Sequence, residues 1–152
     1  MSNTLKPRLA EAVKNAMRAK DTARLGTLRF LLAAVKQKEV DERLELDDAA
    51  VTAIIEKQVK QRRESIAAFE QAGRAETAAQ EQAELAVLQE FLPQAASAEE
   101  VDAAIQAAMA EIAAQGLSGG PAMGKIMGLL KTRLAGRADM AAVSAQVKAR
   151  LA

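Results

Sequence analysis

The segment from Gly119 to Gly128 reads GGPAMGKIMG and carries most of a phosphate-binding loop. Such a loop reads G-x-x-x-x-G-K-[ST], and its backbone amides and its lysine bind the phosphates of a nucleotide. Residues 119–125 fit this pattern, but Ile126 stands where the magnesium-binding hydroxyl belongs. The loop must also follow a β-strand, whereas a helical pattern precedes it here, and Pro121 removes one amide. We therefore do not expect nucleotide binding.

Helical geometry, at roughly 100° per residue, divides the same segment into two faces. One face is an apolar stripe formed by Met123, Ile126, Met127, Leu130 and Leu134. The opposite side carries Gly124, Lys125, Gly128 and Lys131, which we call the glycine face. An interior glycine costs a helix on the order of 1 kcal/mol relative to alanine, so glycines opposite the core suggest that another molecule approaches the backbone. A phosphate backbone would fit there, and helix termination or packing against another helix is the plainer alternative.

Other catalytic chemistry finds little support in the composition. Cysteine and histidine are absent, which excludes thiol nucleophiles, disulfides, histidine bases and Cys/His zinc sites. The serines are isolated, and the carboxylates are spread over helical faces. We expect no catalytic residue, no metal and no cofactor.

The sequence also predicts where in the cell the protein is located. The longest purely apolar run, Phe30 to Val35, is too short to cross a bilayer. The N-terminus alternates charged and apolar residues, unlike a secretory signal. We expect a cytoplasmic protein without a membrane partner.

The fold is predicted to be all-α, because the apolar residues recur with a helical period throughout. Four helices are expected first, at about residues 4–19, from 22 onward, from 47 or 48 to 72, and at 76–91. Asp21 and Asp47 have the side chains that cap helix starts, and Gly73 is typical of the position beyond a helix end. Three shorter helices are expected at about 98–115, at 121–134 and after Asp139.

The residues LPQAAS separate these two groups of helices. Pro93 ends a helix, and Ser97 with Glu100 forms an S-x-x-E capping box that begins the next one. The sequence therefore predicts a helical N-terminal domain of about four helices over residues 1–92, followed by a small three-helix domain over residues 97–152.

Charge is unevenly distributed along the chain. Residues 1–43 carry a net +5, residues 44–100 a net −7 and residues 101–152 a net +3. Residues 117–152 contain six basic side chains and one acidic one. Two basic ends around an acidic middle suggest a polyanionic partner, or ends that fold back on the middle.

Arg62 interrupts the apolar stripe of the third helix. That stripe consists of Val51, Ile55, Val59, Ile66 and Phe69. A buried guanidinium needs a carboxylate or several carbonyl groups, so we predict that Arg62 forms a structural ion pair. A ligand site, or an exposed arginine whose methylene groups pack on the stripe, are the alternatives.

Four segments resemble the GatB/YqeY family. They are KDTARLGTLRFLLAAVKQKEVDER at 20–43, KQRRESIAAFEQAGR at 60–74, FLP at 91–93 and MGKIMGLLKTRLAGRADM at 123–140. The match covers nearly the whole chain, in order. It implies a helical N-terminal domain and a three-helix domain similar to the tail of the GatB polypeptide of aspartyl/glutamyl-tRNA amidotransferase. That enzyme amidates mischarged tRNA with glutamine as the amide donor, and its tail contacts the tRNA.

The resemblance thus implies a tRNA-binding or accessory module related to a glutamine-dependent carbon–nitrogen ligase. The catalytic parts of the amidotransferase lie outside the shared region, so we do not expect the chain to be catalytic alone. Its expected partners are tRNA or another structured RNA, and an amidotransferase or synthetase component. The candidate RNA-binding residues are the glycine face (Gly124, Lys125, Gly128 and Lys131) with Arg133, Gly136, Arg137 and Lys148.

Two further expectations concern the mode of binding. Gly136 and Arg137 precede the last helix, where an amide and a guanidinium would form an anion site. We also expect no exposed aromatic residues, so the RNA would be bound through its phosphates and shape rather than by base stacking. The alternative function is a protein–protein adaptor whose glycine face docks a partner helix.

Overall fold

The computed structural model describes residues 3–152, so the first two residues of the predicted N-terminal domain lie outside the described range. Within residues 3–152 the structure contains seven α-helices and no β-strand. The all-α prediction is therefore confirmed. By its internal contacts the chain divides into two compact units, an N-terminal unit that ends at Leu92 and a C-terminal unit, Pro93–Ala152.

The N-terminal unit contains α1 (Leu5–Arg18), α2 (Thr22–Glu42), α3 (Asp48–Gln71) and α4 (Ala75–Gln89). The most extensive contact joins α3 and α4, while α1 packs on α2 and α3. The buried core consists of aliphatic side chains and one aromatic ring: Leu5, Leu9, Ala16, Leu28, Leu31, Val35, Leu46, Val51, Ile55, Val59, Leu85, Leu88 and Phe91.

Short polar side chains begin two of these helices. Asp21 accepts a hydrogen bond from the backbone N–H of Arg24 at 3.1 Å, and Asp47 accepts one from Ala50 at 2.9 Å. Each bond satisfies an N–H group that a helix start leaves without an intrahelical acceptor. Gly73, beyond the end of α3, has a φ of +74°, a conformation that glycine adopts without a side-chain clash.

Glu39 connects α2 to α1 and to the segment that follows α2. Its Oε2 atom lies 2.7 Å from Lys6 Nζ and accepts the backbone N–H of Leu46 at 2.8 Å. Both partners favour the ionised carboxylate. The hydrogen bond from Lys6 first, and then the one from Leu46, hold the pKa of Glu39 below its usual value.

Glu39→Gln should therefore lower stability in a pH-dependent way. Because the folded-state pKa lies below the unfolded one, the carboxylate stabilises the fold above about pH 4.5, and this contribution is lost as pH falls through the lowered folded value. The melting temperatures of the wild type and the variant should differ at pH 7 and converge in strong acid. The exposed Glu64→Gln is the control and should differ little at either pH. A difference that persists in strong acid would contradict the carboxylate's role.

The C-terminal unit contains α5 (Ala98–Ala114), α6 (Gly119–Arg133) and α7 (Met140–Leu151). Helix α6 is central, since it packs on α5 and on α7. The buried core is aliphatic: Val101, Ile105, Ala108, Ile112, Ala122, Ile126, Leu130, Leu134, Val143 and Val147.

The starts of α5 and α6 differ in detail from the prediction. Ser97 Oγ accepts the backbone N–H of Glu100 at 3.1 Å, which is one half of the expected capping box. The Glu100 carboxylate pairs with Arg137 instead of returning to the helix start. Helix α6 begins at Gly119, two residues before the expected start at Pro121. Proline is tolerated there because the N–H groups of a first turn have no intrahelical acceptor.

Arg137 holds the first residues of the C-terminal unit in place. Its Nε donates to the carbonyl of Gln94 at 3.0 Å, and its own carbonyl accepts the backbone N–H of Ala96 at 2.7 Å. The guanidinium also pairs with Glu100. Two hydrogen bonds with Arg137 therefore hold the segment that precedes α5.

The domain boundary leads to a proteolysis prediction. Limited digestion with proteinase K should cut within residues 92–97 and release a fragment that extends to residue 152. Arg137→Met should speed this cut, because it removes the side-chain bond to Gln94. Arg150→Met is the matched control, since it removes the ion pair to Asp102 without touching the segment. Cleavage confined to residues 117–122 would place the boundary elsewhere.

Candidate nucleic-acid interface

The glycine face lies at the surface of α6. Gly124, Lys125, Gly128 and Lys131 are all exposed. A Cβ atom built on Gly124 or Gly128 would have open space around it, with no contact within 4 Å. Neither glycine has a positive φ. Neither helix packing in this unit nor backbone conformation therefore requires glycine at these positions.

Arginine and lysine have different roles in the C-terminal unit. Each of its arginines pairs with a carboxylate of α5, namely Arg133 with Glu111, Arg137 with Glu100 and Arg150 with Asp102. Within the described residues of this unit, no ion pair involves its lysines, which are exposed: Lys125, Lys131 and Lys148. The free positive charge of the unit is therefore carried by lysine.

Arg133 lies away from the glycine face. It follows Gly128 by five residues, which places it roughly 140° around the helix. There its NH1 atom lies 2.5 Å from Glu111 Oε2. The hydrogen bond from Arg133 lowers the pKa of the Glu111 carboxyl below its usual value. Arg133 thus joins α6 to α5, and its charge is matched within the unit.

The start of α7 is already occupied by protein groups. Asp139 caps the helix by accepting the backbone N–H of Ala141 at 3.1 Å. Gly136, with a φ of +71°, forms the turn before it. Arg137 is engaged with Glu100 and with the Gln94 carbonyl. A phosphate would have to compete with these partners, so the candidate interface rests on the lysines.

In the N-terminal unit, Arg62 of α3 bridges to α4. Its NH1 atom lies 2.9 Å from Glu81 Oε2 and 2.6 Å from Glu84 Oε2. The side chain is 21% exposed, so the pair is only partly buried. The guanidinium carbon also lies 5.7 Å from the ring centroid of Phe30, within cation–π distance.

Phe30 corrects the expectation that exposed aromatic residues are lacking. The residue is 60% exposed on α2. The apolar run that begins with it spans six residues and thus more than one helical turn, so it cannot all face the core. Leu31 and Val35 are buried, and Phe30 lies outside. The length of the run was the signal that could have revealed this.

A cavity of about 400 Å³ adjoins Phe30. Its other lining residues are Gln58, Gln61, Arg62 and Ser65 of α3. Gln58 is 6% exposed, and its buried Oε1 atom accepts no hydrogen bond from the described residues. This cavity was not predicted from the sequence, although Gln58, like Arg62, is a polar residue at a core-facing helical position.

Comparisons with known proteins identify the relatives of the chain. A family model described as Yqey-like protein matches residues 6–151. Altered inheritance of mitochondria protein 41, mitochondrial, from Eremothecium gossypii is 41% identical over 107 residues, which cover 68% of this chain and 58% of the relative. The protein of the same name from Pyrenophora tritici-repentis is 32% identical over 134 residues, which cover 86% and 74%. The chain thus spans less than two thirds of the first relative.

The names of these relatives correct the expected location. Both are named mitochondrial proteins, which contradicts the expectation of a cytoplasmic protein. The features behind that expectation were the shortness of the longest apolar run and an N-terminal charge pattern unlike that of a secretory signal, and neither separates the cytoplasm from a mitochondrial compartment. None of the helices in the described range has the length and apolar character needed to cross a membrane. The family model covers nearly the whole chain, and the chain belongs to the YqeY-like protein family.

Proposed function

We propose that this chain binds structured RNA, with tRNA as the first candidate, through the glycine face and Lys148. The observation that carries the proposal is the pairing of exposed, unobstructed glycines with lysines that have no carboxylate partner in the described residues. The resemblance to a tRNA-contacting tail supports the choice of RNA.

The geometry suits a phosphate backbone. Gly124 and Gly128 lie one helical turn apart, so two successive turns lack a side chain that would hold a ligand away. Lys125 and Lys131 flank these positions and can donate hydrogen bonds to phosphate oxygens. Such contacts fix the position of a nucleic acid without reading its sequence. The proposed role is therefore recognition of a folded RNA by shape and charge.

The proposed role is accessory rather than catalytic. The side chains of the glycine face are ammonium groups, which bind phosphate but supply no nucleophile or metal at this surface. A tRNA amidotransferase or synthetase component is the proposed protein partner, and this part rests on the family resemblance alone.

The test is the salt dependence of RNA binding. Each phosphate contact releases counterions, so two or three lysine contacts should give a log–log slope of about −2 to −3 for binding of a tRNA transcript. Affinity for folded tRNA should exceed that for heparin of similar charge. Equal affinity for the two polyanions would contradict the proposal. A salt-independent complex with a protein would favour the adaptor function in its place.

A further inference from the structure

The cavity beside Phe30 has no part in the function proposed above. It is lined by Phe30, Gln58, Gln61, Arg62 and Ser65, which we call the Phe30 cavity. Its volume of about 400 Å³ lies within the range of small-ligand sites. All five residues belong to the N-terminal unit, whereas the lysines of α6 belong to the C-terminal unit.

The buried amide of Gln58 indicates that the ligand donates a hydrogen bond. Its Oε1 atom is enclosed without a donor among the described residues. A buried polar atom without a partner is destabilising and is rare in folded proteins unless a ligand or water satisfies it. Leucine would suit this core-facing position of α3 without that cost. The cavity therefore favours a ligand with an N–H or O–H group directed at Gln58.

The charges around the cavity disfavour an anionic ligand. Arg62 is the sole charged residue among its lining groups. The guanidinium already has two carboxylate partners, Glu81 and Glu84, so it offers little to an anion. The cluster of Arg62 with Glu81 and Glu84 contains one positive and two negative groups. Phosphate groups are thus disfavoured in the cavity.

The remaining lining groups favour a planar ligand. The Phe30 ring is largely exposed, although aromatic rings gain stability when they are covered. The amide of Gln61 and the hydroxyl of Ser65 can each donate and accept hydrogen bonds. An aromatic face together with amide and hydroxyl groups is the set that recognises an unpaired base by stacking and by its edge.

We propose that the Phe30 cavity binds a single nucleobase, which stacks on Phe30 and donates an edge N–H to Gln58 Oε1. The base can come from a free nucleoside or from an unpaired position of an RNA. This site goes beyond the phosphate contacts of the glycine face, since it would read a base rather than a backbone.

The test uses the full chain with 2-aminopurine as the probe. The chain contains no tryptophan or tyrosine, so the emission of the probe is free of overlap from those residues. Fluorescence anisotropy should rise when the protein is added to the free 2-aminopurine nucleoside and to a single-stranded RNA octamer that contains one 2-aminopurine. A rise with both assigns the site to the base itself. A rise with the octamer alone, lost in Phe30→Leu, assigns it to an RNA base.

Two variants separate binding from folding. Phe30→Leu should weaken binding by about tenfold or more, the scale of a lost base–aromatic stack. Gln58→Leu should weaken binding similarly, but it should raise the melting temperature because the unsatisfied amide is removed. The exposed Gln82→Leu of α4 is the matched control and should change neither quantity.

The outcomes also separate this site from the glycine face. Lys125→Glu with Lys131→Glu should leave binding of the free nucleoside unchanged, whatever happens to tRNA. No anisotropy change with either probe, or an affinity that Phe30→Leu leaves unaltered, overturns the nucleobase site. A Gln58→Leu variant that melts higher without any nucleoside binding by the wild type also overturns it.

Discussion

Replacing Lys125 and Lys131 by glutamate should weaken tRNA binding by about 30-fold or more at low salt, while the helices remain intact. Each substitution removes a phosphate contact and adds a repulsive charge. Because both lysines are exposed and have no ion pair in the described residues, the effect on folding should stay within about 0.5 kcal/mol. The salt slope should also become shallower by about two units. Filter binding over a salt series measures the affinity and the salt slope, and thermal melts measure the stability.

The control for charge is Lys14→Glu with Lys36→Glu, which makes the same change at exposed positions of the N-terminal unit. Gly128→Leu tests the open backbone and should weaken binding by steric block. Gly26→Leu is its match, since Gly26 is also an exposed helical glycine with open space around it. If the lysine pair and Gly128→Leu behave like their controls, RNA does not bind the glycine face.

Arg62→Met should destabilise the N-terminal unit by about 1–3 kcal/mol. The substitution leaves Glu81 and Glu84 near each other without their shared partner, and these side chains are 20% and 35% exposed. The expected loss is smaller than for a fully buried pair, because water can reach part of the cluster. Urea unfolding gives the free energy, and a constant m-value would show that the unfolded state is unchanged.

The adjacent Arg63→Met is the control, since Arg63 is exposed and makes no ion pair in the described residues. Arg62→Met combined with Glu81→Gln and Glu84→Gln should recover much of the lost stability, because no unpaired charge then remains. If Arg62→Met alone unfolds at the same urea concentration as the wild type, the ion pair contributes nothing to the fold.

The features that the sequence predicted well depend on neighbouring residues. Asp21 and Asp47 each bond to an N–H three residues ahead, so their role follows from local spacing. Gly73 ends α3 for an equally local reason. The exposure of Gly128 followed from the angle between residues on one helix. Such arguments need no knowledge of how the helices pack.

The features that were missed depend on how separate helices pack. Arg137 pairs with a carboxylate 37 residues earlier in the chain, and nothing in the local sequence marks that partner. Three of the six basic side chains in residues 117–152 are paired with carboxylates of α5, which the count of charges in this segment does not show. The Phe30 cavity likewise forms only where α2 and α3 pack together. The helical spacing alone could have shown that the polar Gln58 lies on the apolar side of α3.

The pairing pattern of the C-terminal unit has a consequence for its chemical modification. Arg133, Arg137 and Arg150 are held in ion pairs, whereas the basic side chains of this unit that make no ion pair in the described residues are lysines. Acetylation acts on lysine and abolishes its charge, but it leaves guanidinium groups untouched. Acetyl transfer to Lys125 and Lys131 would thus neutralise the glycine face without breaking any of these ion pairs. Acetylation would then abolish the proposed RNA binding while the helices of this unit stay folded.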